Sequence, residues 1–229
     1  MPQRNSIKQY LAGGYYHLYN RGVEKRNIFP EDQDRGVFLS YLKTYLTPKD
    51  IDDLQKQLAN PKLPWSEKDK ILKKLRLKNF FSKIELLAYC LMPNHYHLLV
   101  KQSSENDIDY FMQSLNTRYV VYFNKKYKRI GPLFQGVYKA VRIETDEQLI
   151  YLSAYIHRNP LDTQKGLSLQ KLTSYPSSLP EYIGSRKTSW VKNRLILSLL
   201  SNSNKHISYE KFILGHPSIN NLNSKYILE

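Results

Sequence analysis

His95 and His97 stand two residues apart in the run His95-Tyr96-His97-Leu98-Leu99-Val100, whose residue types favour a β-strand. Side chains at i and i+2 leave the same face of a sheet, so both imidazoles point into one space, as coordination of a metal ion by neutral ring nitrogens requires. A second group lies at helical spacing. Tyr151, Tyr155 and Asn159 recur every four residues and so share one flank of a helix. The Asn159 amide oxygen is a hard ligand suited to Mg2+ or Mn2+, and the Tyr155 hydroxyl, one turn earlier, falls beside such an ion. Each group also has a plain structural alternative. With six histidines in 229 residues a His-x-His pair is common, the tyrosines can be amphipathic filler, and Asn159 can be a C-terminal cap.

The elements that must carry these residues are legible in the pattern. Tyr15 to Asn20 is rich in strand formers and runs into a turn at Arg21-Gly22. From Glu31 to Leu46, apolar residues at Val37, Phe38, Tyr41, Leu42 and Tyr45 have helical period, and Pro48 ends the helix. Residues 48–82 are charged and interrupted by Pro61 and Pro64; a restart at Ser66, with Asp69 three residues on, resembles a capping box, and the segment reads as a helical insertion. Ile84 to Leu91 is nearly continuously apolar, as a strand buried on both faces would be, and turns at Met92-Pro93-Asn94 into the histidine strand. A helix over Asp107 to Lys126 places Ile108, Phe111, Met112, Leu115, Tyr119 and Tyr122 inward. Val137 to Ile143 reads as a strand, and Thr145 with Gln148 opens a last helix that ends at Asn159-Pro160.

Strand, helix, strand, strand, helix, strand is the order of a ferredoxin-like split βαβ α+β domain, with an antiparallel sheet and flanking helices. The expected organisation is one domain over residues 1–165, carrying the 48–82 insertion, and a C-terminal extension over 166–229. That extension is broken by Pro176, Pro180 and Pro217 and has one helical stretch near Trp190–Leu200.

Composition narrows the class. Hydrophobic residues make up 41% of the chain, enough for a core, and no apolar window approaches the ~18 residues of a membrane span. Met1 to Ser6 leads into no apolar run, so no secretory signal is expected, and the single cysteine, Cys90, fits a reducing, cytoplasmic location. Thirty-five Lys and Arg against 20 Asp and Glu leave a formal charge of +15, which suits a polyanionic partner. The basic residues cluster: eight Lys or Arg against two acids from Lys62 to Lys83, and four charges in Lys125-Lys126-Tyr127-Lys128-Arg129. Many of the 19 tyrosines adjoin basic residues, a pattern compatible with bases stacking on aromatic rings while cations follow the backbone.

Met92-Pro93-Asn94-His95-Tyr96-His97-Leu98-Leu99-Val100 resembles the His-hydrophobic-His motif of single-tyrosine HUH transposases, especially the REP-associated tyrosine transposase branch. Tyr19-Asn20-Arg21-Gly22, Gly131-Pro132-Leu133-Phe134-Gln135, Tyr155-Ile156-His157-Arg158-Asn159-Pro160 and Ser174-Tyr175-Pro176-Ser177-Ser178 resemble further landmarks of that branch in the same order. The resemblance spans roughly residues 10–182. Two departures stand out: Tyr96 occupies a position usually held by a plain hydrophobe, and the basic 48–82 insertion exceeds the compact members.

The resemblance implies His95, His97 and Asn159 as ligands of a divalent ion, Mg2+ or Mn2+, and Tyr155 as nucleophile. Tyr151 resembles the second tyrosine of two-tyrosine relatives, but the placement of Tyr155 before Asn159-Pro160 matches the single-tyrosine pattern. The implied activity is cutting and rejoining of single-stranded DNA beside a hairpin through a 5′-phosphotyrosine. Arg21, Lys125, Lys126, Lys128, Arg129, Lys139, Arg142 and Arg158 are candidate DNA contacts. A domesticated protein that binds hairpin DNA or RNA without cutting it, and a hydrolytic metal nuclease, are the competing functions. Monomer and homodimer both remain open, since some HUH relatives take the tyrosine from a partner chain.

Overall fold

A computed structural model describes residues 10–159, 168–200 and 205–215. Pro160, the 165/166 boundary, Pro217 and the N-terminal residues 1–9 lie outside the described residues. Strands β1 (Tyr15–Arg21), β2 (Ile84–Met92), β3 (His95–Gln102) and β4 (Lys139–Ile143) form one antiparallel sheet in the order β2-β3-β1-β4. That order is the ferredoxin-like solution of a split βαβ chain, in which the β2–β3 hairpin places β3 beside β1 and the second crossover adds β4 on the other side of β1.

Alternation along each strand sorts the side chains into two cores. Tyr16 and Leu18 of β1, and Tyr96, Leu98 and Val100 of β3, face α1 (Asp32–Leu46) and α4 (Asp107–Lys126). Their core includes Phe29, Phe38, Phe111 and Tyr119, and each such fully buried side chain contributes about 1.5–3 kcal/mol before ordering costs. On the opposite face, Leu99 of β3 and Ala88 and Cys90 of β2 pack against α5 (Asp146–Arg158), which buries Leu149, Leu152, Tyr155 and Ile156. The α5 helix starts at the expected capping box: Gln148 N donates to Thr145 Oγ1 at 3.2 Å and Thr145 N to Gln148 Oε1 at 3.3 Å. Such a cap is worth about 1 kcal/mol.

The insertion is a helical hairpin, α2 (Ile51–Leu58) and α3 (Trp65–Arg76). Asn79 and Lys49 pin its base, the Lys49 ammonium donating to the carbonyls of Leu75 at 2.6 Å and Leu77 at 2.8 Å. Ser66 does not cap α3 as expected. The helix begins at Trp65 behind Pro64, whose fixed φ starts a helix without a side-chain bond, and Asp69 pairs with Lys73. The fourth strand begins at Lys139, two residues later than expected, because Val137 is exposed before Tyr138 turns inward.

The C-terminal segment holds more helix than its sequence suggests. Four short helices follow: α6 (Leu169–Thr173), α7 (Leu179–Tyr182), α8 (Arg194–Ser198) and α9 (Lys205–Gly215). Trp190 lies outside them and stacks on Tyr89 at 5.5 Å. Leu172, Leu179, Tyr182, Ile196, Leu197, Tyr209 and Ile213 share the α5-side core with the sheet. Among the described residues no helix is long and apolar enough to cross a membrane.

Candidate active site

The turn before the histidine strand is built by three separated segments. Pro93 O accepts from Ile28 N at 2.8 Å and Phe29 N at 2.9 Å, and Asn94 O accepts from Gly22 N at 2.8 Å. Gly22 also bridges to Phe134, while Gln135 N donates to Arg21 O at 2.9 Å. A Cβ on Gly22 would stand 2.1 Å from the Arg26 carbonyl oxygen, so only glycine fits there. The Tyr19–Gly22 and Gly131–Gln135 landmarks therefore act together, as the frame of the His95 turn.

Residues 95 and 97 open β3, facing α5, and Tyr96 points the other way as expected, its hydroxyl donating to Asn116 Oδ1 at 2.9 Å. The two imidazole rings lie 5.0 Å apart and nearly perpendicular. From α5, Tyr155 sets its ring edge-to-face with His97 at 5.9 Å. Asn159 connects the two sides: its Nδ2 donates to the Tyr155 hydroxyl at 2.9 Å while its Oδ1 lies 3.1 Å from His95 Nε2. Tyr155 is 8% exposed, its ring within the α5 core and its hydroxyl on this polar cluster. All four side chains come from one chain. Tyr151, one turn back, instead packs on Phe212 at 5.3 Å.

The donor set fits a hard divalent ion. His95 Nδ1 lies 2.6 Å from Asn94 Oδ1 and donates to it. A neutral His95 then offers only a lone pair at Nε2, facing the equally acceptor-only Oδ1 of Asn159. His97 Nε2 is buried with no hydrogen-bond partner. Burial, then the nearby His17, His95 and Arg21, hold the His97 pKa well below the ordinary histidine value, so this ring is neutral and ligand-competent. Two imidazole lone pairs and an amide oxygen are a donor set that a cation satisfies. Among the described residues no three His, Cys, Asp or Glu side chains form a metal cluster, and the third donor beside the two imidazoles is the Asn159 amide oxygen.

The candidate DNA contacts divide by location. Arg21 ends β1 directly opposite His95 and acts electrostatically on His97, which places it at the site. Lys139 and Arg142 are exposed on the edge strand β4. Lys125 and Lys128 are exposed at the end of α4, and Arg129 stands over the Phe123 ring at 5.8 Å. Lys126 has a different occupation, since its ammonium binds Asp34 at 2.8 Å and Glu31 at 3.0 Å and ties α4 to α1. Arg158, in the last turn of α5, is 7% exposed.

Two histidines were not singled out by spacing. His17 on β1 lies beside His97, its Nε2 2.8 Å from His97 Nδ1. His157, two residues before Asn159, is fully buried between Tyr209 Oη at 2.7 Å and Ser178 Oγ at 2.8 Å. Desolvation pushes its pKa down to about 3, so it is a neutral strut joining α5 to the C-terminal segment. The Ser174–Ser178 landmark supplies that contact and also pairs with β2, Leu91 N donating to Pro176 O at 2.9 Å.

Residues 66–159 match the family model of IS200-like transposases. A solved REP-associated tyrosine transposase bound to a REP hairpin superposes with a TM-score of 0.50 at 11% identity, covering 83% of this chain and 98% of that one. At that identity the likeness is one of fold. No curated protein sequence matches the chain.

Proposed function

We propose that this chain, which resembles REP-associated tyrosine transposases in motif and fold, is a metal-dependent enzyme that nicks and rejoins single-stranded DNA beside a hairpin. The family match over residues 66–159 supports a transposase of the IS200 type. The observation that carries the finer reading is the chain of contacts from His95 through Asn159 to Tyr155, which sets a phenol against a cation-ready donor set.

A phosphodiester yields when a nucleophile attacks in line, the phosphoryl oxygens are neutralised and the leaving oxygen is stabilised. Bound to His95, His97 and Asn159, Mg2+ or Mn2+ would supply charge neutralisation at the scissile phosphate. The protein supplies the rest. Tyrosine, with a pKa of about 10 in solution, is a poor nucleophile until its proton leaves. The Asn159 N–H that points at the Tyr155 oxygen favours the phenolate. Arg21, at the same end of the sheet, offers a fixed positive charge to the DNA phosphate. Attack by Tyr155 leaves a 5′-phosphotyrosine and a free 3′-hydroxyl, and the phosphotyrosine conserves the bond energy so that another 3′-hydroxyl can reseal the strand. Since one chain holds both the histidines and the tyrosine, a monomer suffices.

The partner is single-stranded DNA with an adjoining hairpin. The exposed cations Lys125, Lys128, Lys139 and Arg142 supply part of a surface for its backbone, together with the basic insertion. The experiment is an adduct assay on end-labelled hairpin-flanked single-stranded DNA, with Mg2+ or Mn2+ and with EDTA. A covalent protein–DNA species that requires the ion and disappears in Tyr155→Phe is the expected result. Binding with no adduct under either ion would replace this reading with a non-cleaving hairpin binder. Untethered products that survive Tyr155→Phe would replace it with a hydrolytic nuclease.

A further inference from the structure

We propose that His17 is a positioning residue for the cation site: its Nε2 accepts the Nδ1 proton of His97 and so holds the His97 ring in the tautomer whose Nε2 lone pair faces the site. This inference rests on the reading of His97 as a ligand given above.

The two rings are bound at 2.8 Å, with His17 only 1% exposed. Their centroids lie 5.0 Å apart and their planes 22° from parallel, so the two rings meet nearly edge to edge along this bond. The Tyr19 ring packs beside both, 5.0 Å from His17 and 5.9 Å from His97, so the plane of His97 is held as well as its hydrogen bond. Strand register creates the arrangement. Tyr19 lies directly opposite His97 and His17 opposite Leu99, which puts His17 diagonal to His97 on the α5 face.

A neutral imidazole has one N–H to place, and His97 has two nitrogens in unlike surroundings. A proton on Nε2 would be buried with no acceptor, which is unfavourable. A proton on Nδ1 meets the His17 Nε2 lone pair at 2.8 Å. The second arrangement leaves Nε2 as an unshared lone pair, which is a ready ligand. An N–H partner behind a ligating imidazole also makes it more basic, and losing such a partner typically lowers metal affinity about 10–100-fold.

The test uses the full chain and Mn2+ alone, with free Mn2+ counted by electron paramagnetic resonance. His17→Phe keeps an aromatic ring at the position but removes the acceptor, and His17→Gln keeps an acceptor oxygen. His17→Phe should bind Mn2+ about 10–100-fold more weakly, while its hairpin-DNA affinity in EDTA stays at the wild-type level, and His17→Gln should recover most of the loss. A folded His17→Phe that binds Mn2+ as tightly as wild type would overturn the inference. Nitrogen-15 imidazole spectra of the wild type give a readout that no variant's folding can spoil. His97 protonated at Nδ1 is expected, and His97 protonated at Nε2 would equally overturn it. Wild-type protein that binds no Mn2+ while showing the Nδ1 tautomer would instead defeat the metal-dependent function proposed above.

Discussion

Asn159 donates its side-chain N–H to the Tyr155 hydroxyl across one turn of α5, at 2.9 Å. The same amide presents its oxygen to His95, so one residue links the proposed nucleophile to the proposed ligand set. Replacing Asn159 with Ala removes the phenolate-stabilising donor and the third ligand together. Adduct formation should fall by at least about 10²-fold, the usual cost of one oriented donor at a developing anion, with hairpin binding in EDTA unchanged. Single-turnover cleavage beside an anisotropy titration checks this; parallel loss of binding would make Asn159 a structural cap.

The two histidines should differ in what else they cost. His95→Ala and His97→Ala should both abolish cleavage and Mn2+ binding while sparing DNA binding. His95 is half-buried at the mouth of the turn, so its loss should leave the melting temperature nearly unchanged. His97 is buried, and its removal breaks its hydrogen bond to the buried His17, which should cost a further ~1–3 kcal/mol of stability. Equal melting temperatures in the two variants would contradict the His17–His97 bond as drawn.

What could be read from the sequence was local. The Thr145–Gln148 capping box and the α4 boundaries depend on neighbours three or four residues away, and both appear in the structure, as does the succession of strands and helices along the chain. His17 was invisible because its partner is 80 residues distant and is chosen by strand register. Lys126 looked like one member of a basic run, but its partner Asp34 lies 92 residues away. The helices α6, α7 and α8 have four or five residues each, too short for a 3.6-residue period to register. They are held by packing on α5 and β2.

Asp34 binds the Lys126 ammonium at 2.8 Å, and its chemistry predicts a pH dependence. Burial alone would raise its pKa, but hydrogen bonds from Lys126, Tyr127, Tyr122 and the Glu31 backbone outweigh it, and the net shift is downward. A carboxylate whose folded pKa is depressed contributes stability above its unfolded pKa and loses it as pH falls through the folded one. Asp34→Asn should therefore melt below wild type at pH 7, by about 2–3 kcal/mol or roughly 5–10 °C. The gap should narrow on acidification below the ordinary carboxylate range. A gap that is constant from pH 7 to pH 3 would mean that the charge on Asp34 contributes nothing.

The α2–α3 hairpin offers the sharpest test of how far the DNA surface extends beyond the cleavage site. Within α3, Lys70 and Lys73 are paired with Glu67 and Asp69. Lys68, Lys74 and Arg76 have no ion pair among the described residues. At the head of the same helix Trp65 is 75% exposed, a large apolar side chain for which the fold itself has no use. Uncommitted cations along a helix that opens on an exposed indole suit a phosphate backbone with an unpaired base, as at a hairpin loop. If they meet DNA, replacing Lys68, Lys74 and Arg76 by Gln should reduce the slope of log affinity against log salt by about 2–3, close to one counterion per phosphate contact. Trp65→Ala should cost about 1–3 kcal/mol of affinity, the range for one stacked base. Adduct yield at saturating DNA should be unaffected, because neither change touches His95, His97, Asn159 or Tyr155. An unchanged salt slope would identify α3 as a solvated face and confine DNA recognition to the sheet end and α4.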